Sequence, residues 1–205
     1  LQGYGLTEAS PVVSCNPLDN IKVDTVGLPF PGSEVKLEKD GEILVKGENL
    51  MIGYWNQPEE TKKVIRDGWL YTGDIGEFKS GYLKITDRKK DIIVNAGGDN
   101  ISPLKIENLM TNQYEIEQCL VYGDGKNYLV ALVVPSDEFI NEEDKIKKKV
   151  EEINKELSVI EKIKNIIVVK EKFSIENRML TPTLKLKRFK IIEKYKKQLE
   201  NLYLK

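Results

Sequence analysis

The segment from Tyr71 to Asp91, YTGDIGEFKSGYLKITDRKKD, holds the residues with the clearest chemical potential in this chain. Its Thr-Gly-Asp turn places the carboxylate of Asp74 beside a glycine, where it could accept both hydroxyls of a ribose. Arg88, near a predicted strand end, could meet a phosphate or a ribose through its planar guanidinium. A strand pair kept only for packing needs neither group, so the segment favours nucleotide binding. An ordinary turn and a solvated, ion-paired strand edge are the alternatives.

A second cluster lies near the start of the chain, where Gly3 to Glu8 read GYGLTE. The ring of Tyr4, flanked by Gly3 and Gly5, could stack on a flat ligand such as a base. The Thr7 hydroxyl could donate to a phosphate or carboxylate oxygen, and Glu8 could hold Mg²⁺, which prefers carboxylate and phosphate oxygens. The alternative is a glycine turn that ends a strand.

The third cluster is the segment from Thr181 to Arg188, TPTLKLKR, which presents three cations after a proline and just before a predicted helix. A single lysine aimed at a phosphorus centre would stabilise the charge that develops in a transition state. The alternative is a basic entry to a helix. Positive charge is unfavourable at that end of the helix dipole, and this local conflict favours a functional role.

The composition excludes several kinds of chemistry. The 205 residues contain no histidine, which excludes Ser-His-Asp and Cys-His machinery and histidine-bearing zinc sites. Two cysteines far apart, Cys15 and Cys119, form neither a disulfide framework nor a zinc pattern and fit a reducing cytoplasm. A net charge of −1 gives no overall field for nucleic acid. No apolar stretch reaches membrane-spanning length, and no signal peptide is visible.

The elements that must position these clusters change in kind near Asp87. Residues 1–86 read as mostly β, with hairpins predicted across Asp40-Gly41 and Ser80-Gly81 and a short helix opened by Pro58. From residue 87 the pattern becomes mixed α and β. It includes a helix capped by Ser102, apolar strands at 118–122, 128–134 and 166–169, one helical face from residue 139 to 157, and a final amphipathic helix. That final helix is predicted from five apolar residues: Phe189, Ile192, Tyr195, Leu199 and Leu202.

In their order, the segments YGLTE, YTGD, GYLKITDRKKDIIVNAGGDNISPLKIEN and TPTLKLKR resemble the adenylate-forming (AMP-binding) enzyme superfamily. The amino-acid sequences of the last two segments are most similar to the long-chain fatty-acid CoA ligase branch. The resemblance implies that Tyr4 stacks on adenine, that Gly5 also belongs to the nucleotide site, that Thr7 contacts the α-phosphate or the acyl carboxylate, and that Glu8 binds Mg²⁺. It further implies roles for four later residues: Asp74 and Arg88 at the ribose, Lys185 as the lysine that promotes adenylation, and Asp87 as a hinge.

The resemblance also implies a fold and a reaction. The fold is α+β: residues 1–86 form the β-rich end of a large AMP-binding domain, and residues 87–205 form a small, mobile C-terminal domain. A fatty carboxylate attacks ATP to give acyl-AMP and pyrophosphate, and the thiol of coenzyme A then takes the acyl group. The expected partners are the fatty acid, ATP and CoA, without nucleic acid. The expected location is the cytoplasm, with peripheral contact to the inner face of a membrane left open.

Two departures from the family pattern qualify these expectations. The Ser/Thr/Gly-rich loop that cradles the β- and γ-phosphates is absent, as is most of the large domain, and the chain starts at Leu1 without Met. The 205 residues are therefore expected to be a C-terminal fragment without ligase activity of its own. Val94 stands at or near the position where several relatives carry a lysine for the thioester step. In the long-chain branch this lysine is usually absent. A ligase for an aryl or shorter acid and a non-catalytic nucleotide-binding or interaction module are the alternatives.

Overall fold

The computed structural model describes residues 1–204 and divides into two compact units, Leu1–Asp91 and Ile92–Lys205. The division falls just after the Asp-Arg-Lys-Lys-Asp cluster. Asp87, the predicted hinge, lies four residues earlier, within a strand of the first unit. None of the helices in residues 1–204 combines the length and apolar character that crossing a membrane requires.

The first unit contains two sheets, a short α-helix and a 3₁₀ helix. A three-stranded antiparallel sheet contains β1 (Gly3–Gly5), β2 (Val12–Cys15) and β3 (Leu28–Pro29). A five-stranded sheet contains β4 (Ser33–Leu37), β5 (Glu42–Gly47), β6 (Ile65–Arg66), β7 (Trp69–Lys79) and β8 (Tyr82–Arg88). The helix α1 (Pro58–Val64) precedes β6, with its proline in the first turn as predicted.

Both predicted hairpins of the first unit are confirmed. β4 pairs with β5 across Asp40-Gly41, and β7 pairs with β8 across Ser80-Gly81. Ser80 and Gly81 have φ values of 51° and 81°, so both central residues of that turn are left-handed, as a type I′ hairpin requires. Because β7 is eleven residues long, it pairs with β5, β6 and β8 and forms the centre of the unit.

The second unit places helices on both faces of a small sheet. Apart from short 3₁₀ helices, its elements are β9 (Ile93–Val94), β10 (Asn100–Ile101), α2 (Pro103–Thr111), β11 (Ile116–Tyr122), β12 (Leu129–Pro135), α3 (Glu143–Ile153), β13 (Ile163–Val168) and α4 (Arg188–Asn201). β9 and β10 form a two-stranded ribbon. The main sheet has the order β11-β12-β13, in which β12 is antiparallel to β11 and parallel to β13. β12 is buried along its whole length, which its uninterrupted apolar run LVALVV anticipates.

Alternation along β12 divides the core of the second unit into two layers. Ala131 and Val133 point to the side that α2 and α3 cover, while Val130 and Leu132 point to the side of α4. Ser102 caps α2 as predicted, because its Oγ accepts a hydrogen bond from the Lys105 backbone amide at 3.2 Å.

Two predicted helical faces differ from the structure. The face expected over residues 139–157 is not one helix: Phe139 ends a short 3₁₀ helix, and α3 ends at Ile153. Phe139 and Leu157 still pack against the same core. The apolar spacing therefore predicts correctly which side of the segment is buried, but not that the segment is one continuous helix. Phe189 was expected on the buried face of α4 but is 72% exposed, and Ile191 occupies the core instead.

Candidate functional site

Asp74 forms the centre of a polar cluster in the first unit. It lies in β7, directly opposite Arg88 of β8, and its side chain is only 6% exposed. Its Oδ1 accepts a hydrogen bond from Arg88 Nε at 3.0 Å, and its Oδ2 accepts one from the Tyr4 hydroxyl at 2.7 Å. The structure therefore brings together three of the residues singled out in the sequence. Each carboxylate oxygen keeps a further lone pair for a ligand hydroxyl.

The hydroxyl of Tyr4 is a permanent donor at neutral pH. Burial raises the pKa of Tyr4 well above its usual value, and the hydrogen bond to Asp74 acts in the same direction. Gly5, the next residue of β1, permits this strand to run close to the following turn. A Cβ on Gly5 would lie 1.8 Å from the carbonyl oxygen of Pro11, so only glycine fits there.

A second buried carboxylate, Glu42 of β5, holds the Thr-Gly-Asp turn from behind. Its Oε1 accepts a hydrogen bond from the Gly73 amide at 3.0 Å, and its Oε2 pairs with Lys89 Nζ at 2.7 Å. The Lys89 amide in turn donates to the Gly73 carbonyl at 2.8 Å. Pairing with Asp40 and with Glu42 raises the pKa of Lys89. Glu42 thus connects the segment before Asp74 to the segment after Arg88.

Thr72 completes the support of Asp74. Its hydroxyl donates to the Ile43 carbonyl at 2.7 Å and accepts from the Asp74 amide at 3.1 Å. Sequence reasoning missed Thr72, Glu42 and Lys89 as parts of the site. The available signal was an acidic residue at the start of an otherwise apolar strand, since Glu42 opens the run EILV.

An open groove runs beside this cluster, and we call it the β7 groove. Its polar and charged lining includes Glu8, Tyr54, Thr72, Arg88, Lys89 and Lys90. Leu6, Val64 and Leu70 add apolar lining. Arg88 joins the groove to the cluster, because it lines the groove and binds Asp74. Such a mixture of apolar surface, cations and a carboxylate suits a flat polar ligand that carries negative charge.

Glu8 and Thr7 lie in a short 3₁₀ helix, Thr7–Ala9, that follows β1. Glu8 lines the groove and accepts a hydrogen bond from the Tyr54 hydroxyl at 2.8 Å. Thr7 is exposed and does not belong to the groove lining. Residues 1–204 contain no group of three or more acidic, histidine or cysteine side chains that could hold a metal ion. A lone carboxylate fits Mg²⁺, which commonly takes one protein carboxylate together with substrate phosphates.

Asp87, predicted as a hinge, is buried and paired with Ile75 in the β7–β8 ladder. Its Oδ1 accepts a hydrogen bond from the Arg88 amide at 2.7 Å. The hinge assignment stays a prediction.

Lys185 belongs to the second unit, where it lies on a tight loop between Leu180 and Leu186, two residues joined by a β-bridge. The Thr181 amide donates to the Lys185 carbonyl at 2.8 Å, and the Lys185 amide donates to the Thr181 hydroxyl at 3.0 Å. Its side chain is exposed and makes no ion pair within residues 1–204. The backbone of the lysine is fixed while its ammonium group stays available to a ligand.

Two family descriptions match this chain. The family described as the AMP-binding enzyme C-terminal domain matches residues 90–205, and the family described as AMP-binding enzyme matches residues 1–55. Among curated proteins, a long-chain-fatty-acid–CoA ligase of Mycobacterium bovis is 34% identical over 225 residues, which cover 98% of this chain and 38% of the relative. Long-chain-fatty-acid–CoA ligase 5 of Rattus norvegicus is 36% identical over 238 residues, covering 98% and 35%. The chain thus spans little more than a third of the length of these relatives.

Solved structures of other adenylate-forming enzymes share the fold. The adenylation domain of a carboxylate reductase from Mycobacterium chelonae matches with a TM-score of 0.81 and 28% identity, over 99% of this chain and 34% of that one. A didomain of the carboxylic acid reductase from Segniliparus rugosus, in complex with AMP, matches with a TM-score of 0.81 and 26% identity, over 98% and 30%. These matches confirm the mixed α and β fold that the sequence predicts.

Proposed function

The chain belongs to the AMP-binding enzyme family, and from this premise we propose that it forms the C-terminal part of an ATP-dependent long-chain fatty-acid–CoA ligase. The observation that carries the proposal is the buried Asp74 carboxylate, held by Tyr4 and by Arg88, which itself lines the β7 groove. The curated relatives named above are ligases of this kind, and they motivate the choice of a long-chain fatty acid as the substrate.

In this proposal the first unit binds the nucleotide. Asp74 accepts the ribose hydroxyls through its remaining lone pairs, and Arg88, half exposed, reaches the ribose or a phosphate. Tyr4 and Gly5 contact the adenine, and Thr7 binds the α-phosphate or the acyl carboxylate. Glu8 would hold Mg²⁺ together with phosphate oxygens, and the ion would neutralise the charge on the phosphates. Because the groove is open, the remaining walls of the acyl and phosphate sites come from outside these 205 residues.

The first half-reaction joins the fatty carboxylate to the nucleotide. A carboxylate oxygen attacks the α-phosphorus of ATP, the bond to the β-phosphate oxygen breaks, and pyrophosphate leaves with its electron pair. Lys185 stabilises the negative charge that develops on the α-phosphate oxygens. The ammonium of Lys185 suits this role because it is exposed and makes no ion pair within residues 1–204. No protein base is needed, since the attacking carboxylate is already ionised.

The second half-reaction transfers the acyl group to coenzyme A. The thiol of CoA attacks the acyl carbon, its proton is released, and AMP leaves. We propose that the second unit turns about a hinge that includes Asp87 between the two half-reactions, so that Lys185 serves the first one only. An aryl or shorter acid is the second candidate substrate, since the solved relatives act in other branches of the superfamily, including carboxylate reductases.

The test uses the full-length protein that contains this chain, with three single variants. Lys185→Ala removes the proposed charge stabiliser, and Asp74→Asn removes the negative charge and one of the two acceptor oxygens at the proposed ribose site. Lys190→Ala is the matched control, because Lys190 is an exposed lysine that pairs with Glu193 on the surface of α4. ATP–pyrophosphate exchange is measured with fatty acids from C6 to C18 and with benzoate.

Lys185→Ala is expected to lower the exchange by about 10²–10³-fold, the usual loss when one group that stabilises transition-state charge is removed. The same variant should still form acyl-CoA from supplied acyl-AMP. Exchange that survives Lys185→Ala unchanged would overturn the catalytic assignment. Exchange that is greatest with benzoate or C6 would replace the long-chain substrate by the second candidate.

A further inference from the structure

Resting on the proposed function, we propose that Glu107 and Arg188 are positioning residues that fix the loop carrying Lys185. Arg188 is the first residue of α4 and follows Lys185 by three positions. Glu107 lies on α2, on a different element and 81 positions away in the sequence. Neither residue contacts the reacting atoms in this proposal, and both act through Lys185.

The two side chains form a nearly enclosed ion pair that binds both backbone groups of one residue of β11. Arg188 Nη1 lies 2.6 Å from Glu107 Oε1, with side chains 15% and 7% exposed. Arg188 Nη2 donates to the Val121 carbonyl at 2.6 Å, and the Val121 amide donates to the same Glu107 oxygen at 2.7 Å. Val121 lies on β11, an edge strand of the sheet, so the pair satisfies backbone groups that the ladder leaves open.

This ion pair holds one end of the Lys185 loop against the rigid sheet. The other end is held by Met179 and Leu180, which are buried in the core beneath α4. The Lys187 amide donates to the Met179 carbonyl at 2.8 Å and closes the loop between the two anchors. Leu184, beside Lys185, adopts a φ of 60°, a conformation that a non-glycine residue keeps only when its surroundings impose it.

The chemistry of the pair favours positioning over simple stability. A buried ion pair contributes little to stability compared with apolar residues of the same shape, because both charges lose their hydration. The planar guanidinium instead fixes an orientation, because it binds a carboxylate and a carbonyl at the same time. This holds the first residue of α4, and the loop before it, in one position. A lysine at position 188 would keep the charge and lose this fork.

A double-mutant cycle in the full-length protein separates positioning from a general structural role. Arg188→Met is made in the native background and in the Lys185→Ala background, and kcat for ATP–pyrophosphate exchange is measured in all four proteins. A loop displaced by about 1 Å costs about 100-fold in rate. We expect that loss in the native background and no further loss once Lys185 is gone. Thioester formation from supplied acyl-AMP should change less than twofold.

Equal losses in both backgrounds would show that Arg188 serves only the fold, and the inference would then be wrong. If Lys185→Ala alone leaves exchange intact, the proposed function fails instead, so the two failures are distinguishable. Should Arg188→Met not fold, Arg188→Lys and Glu107→Gln enter the same cycle; each is expected to lower exchange only when Lys185 is present. Lys190→Met, which removes an exposed cation from the same helical turn, is the control and should leave exchange unchanged.

Discussion

Removal of one hydroxyl group, by Tyr4→Phe, tests whether Asp74 is held as the structure indicates. The change keeps the ring and deletes the donor that lies 2.7 Å from Asp74 Oδ2. A hydrogen bond to a charged group contributes about 1.5–3 kcal/mol to stability. The acceptor is nearly enclosed, and water cannot freely replace the lost donor. We therefore expect the free energy of unfolding of the first unit to fall by about 1.5–3 kcal/mol at pH 7.

The pH dependence of this loss gives a second, independent signature. Burial raises the pKa of Tyr4, so the folded state holds the phenolic proton more tightly than the unfolded state does. The contribution of Tyr4 is therefore complete below about pH 10, where an unfolded tyrosine begins to ionise, and decreases at higher pH. The slope is about 1.4 kcal/mol per pH unit for one proton. The phenylalanine variant lacks this slope, so the two stability curves should meet between about pH 11 and 12.

Urea denaturation followed by tryptophan emission measures the effect in the first unit alone. Both tryptophans, Trp55 and Trp69, belong to that unit. Tyr114→Phe is the matched control, because its hydroxyl also donates to a carboxylate, Glu138, at 2.6 Å but lies exposed in the second unit. The control should leave the tryptophan transition in place. A stability gap for Tyr4→Phe that is absent at pH 7, or that stays constant up to pH 11.5, would refute the reasoning.

Two further substitutions test the supports of the site and the fold. Gly5→Ala should lower the free energy of unfolding of the first unit by about 3 kcal/mol, the upper end of the range for overpacking, because the new Cβ would lie 1.8 Å from a backbone oxygen. Gly3→Ala is the control: its Cβ would lie 3.1 Å from the nearest atom, so the loss in the same urea titration should be smaller. Ser102→Ala should lower the stability of the second unit by about 1 kcal/mol by circular dichroism, and Ser102→Asp, which keeps a capping acceptor, should restore it.

Much of the fold was predictable because its signals are local. Gly41 and Gly81 favour the two hairpin turns because glycine readily adopts the positive φ values of 85° and 81° found there. The unbroken apolar run of β12 and the Ser102 cap are equally local. The predictions of the two helical faces were partly wrong for a different reason. The spacing of apolar residues indicates which side of a segment is buried. It does not indicate where a helix is interrupted, as happens before α3, or whether Phe189 or Ile191 packs in the core.

The site was predictable only where a motif exposes its chemistry. Asp74 and Arg88 could be paired because they flank one hairpin, which fixes them opposite each other. The contact of Glu42 with Gly73 could not be predicted, since Glu42 lies on a strand 31 positions earlier in the sequence. Glu107 and Arg188 are separated by 81 positions, and no local pattern joins them.

The structure also changes the meaning of the two basic clusters. In the sequence, the cations near Arg88 and near Lys185 all look available to an anionic ligand. Three of these cations form ion pairs with buried carboxylates: Arg88 with Asp74, Lys89 with Glu42, and Arg188 with Glu107. Removing the cation of such a pair would leave a buried carboxylate uncompensated, so Lys89 and Arg188 are held by their carboxylates. Arg88 binds Asp74 through Nε and is half exposed, so its terminal amino groups can still meet a ligand. The lysines of the two clusters without an ion pair in residues 1–204 are Lys90, Lys185 and Lys187. Of these, Lys90 and Lys185 are exposed: Lys90 lines the β7 groove of the first unit, and Lys185 lies on the loop between Leu180 and Leu186 of the second unit. An anionic ligand of either unit therefore finds one exposed lysine that no ion pair in residues 1–204 neutralises.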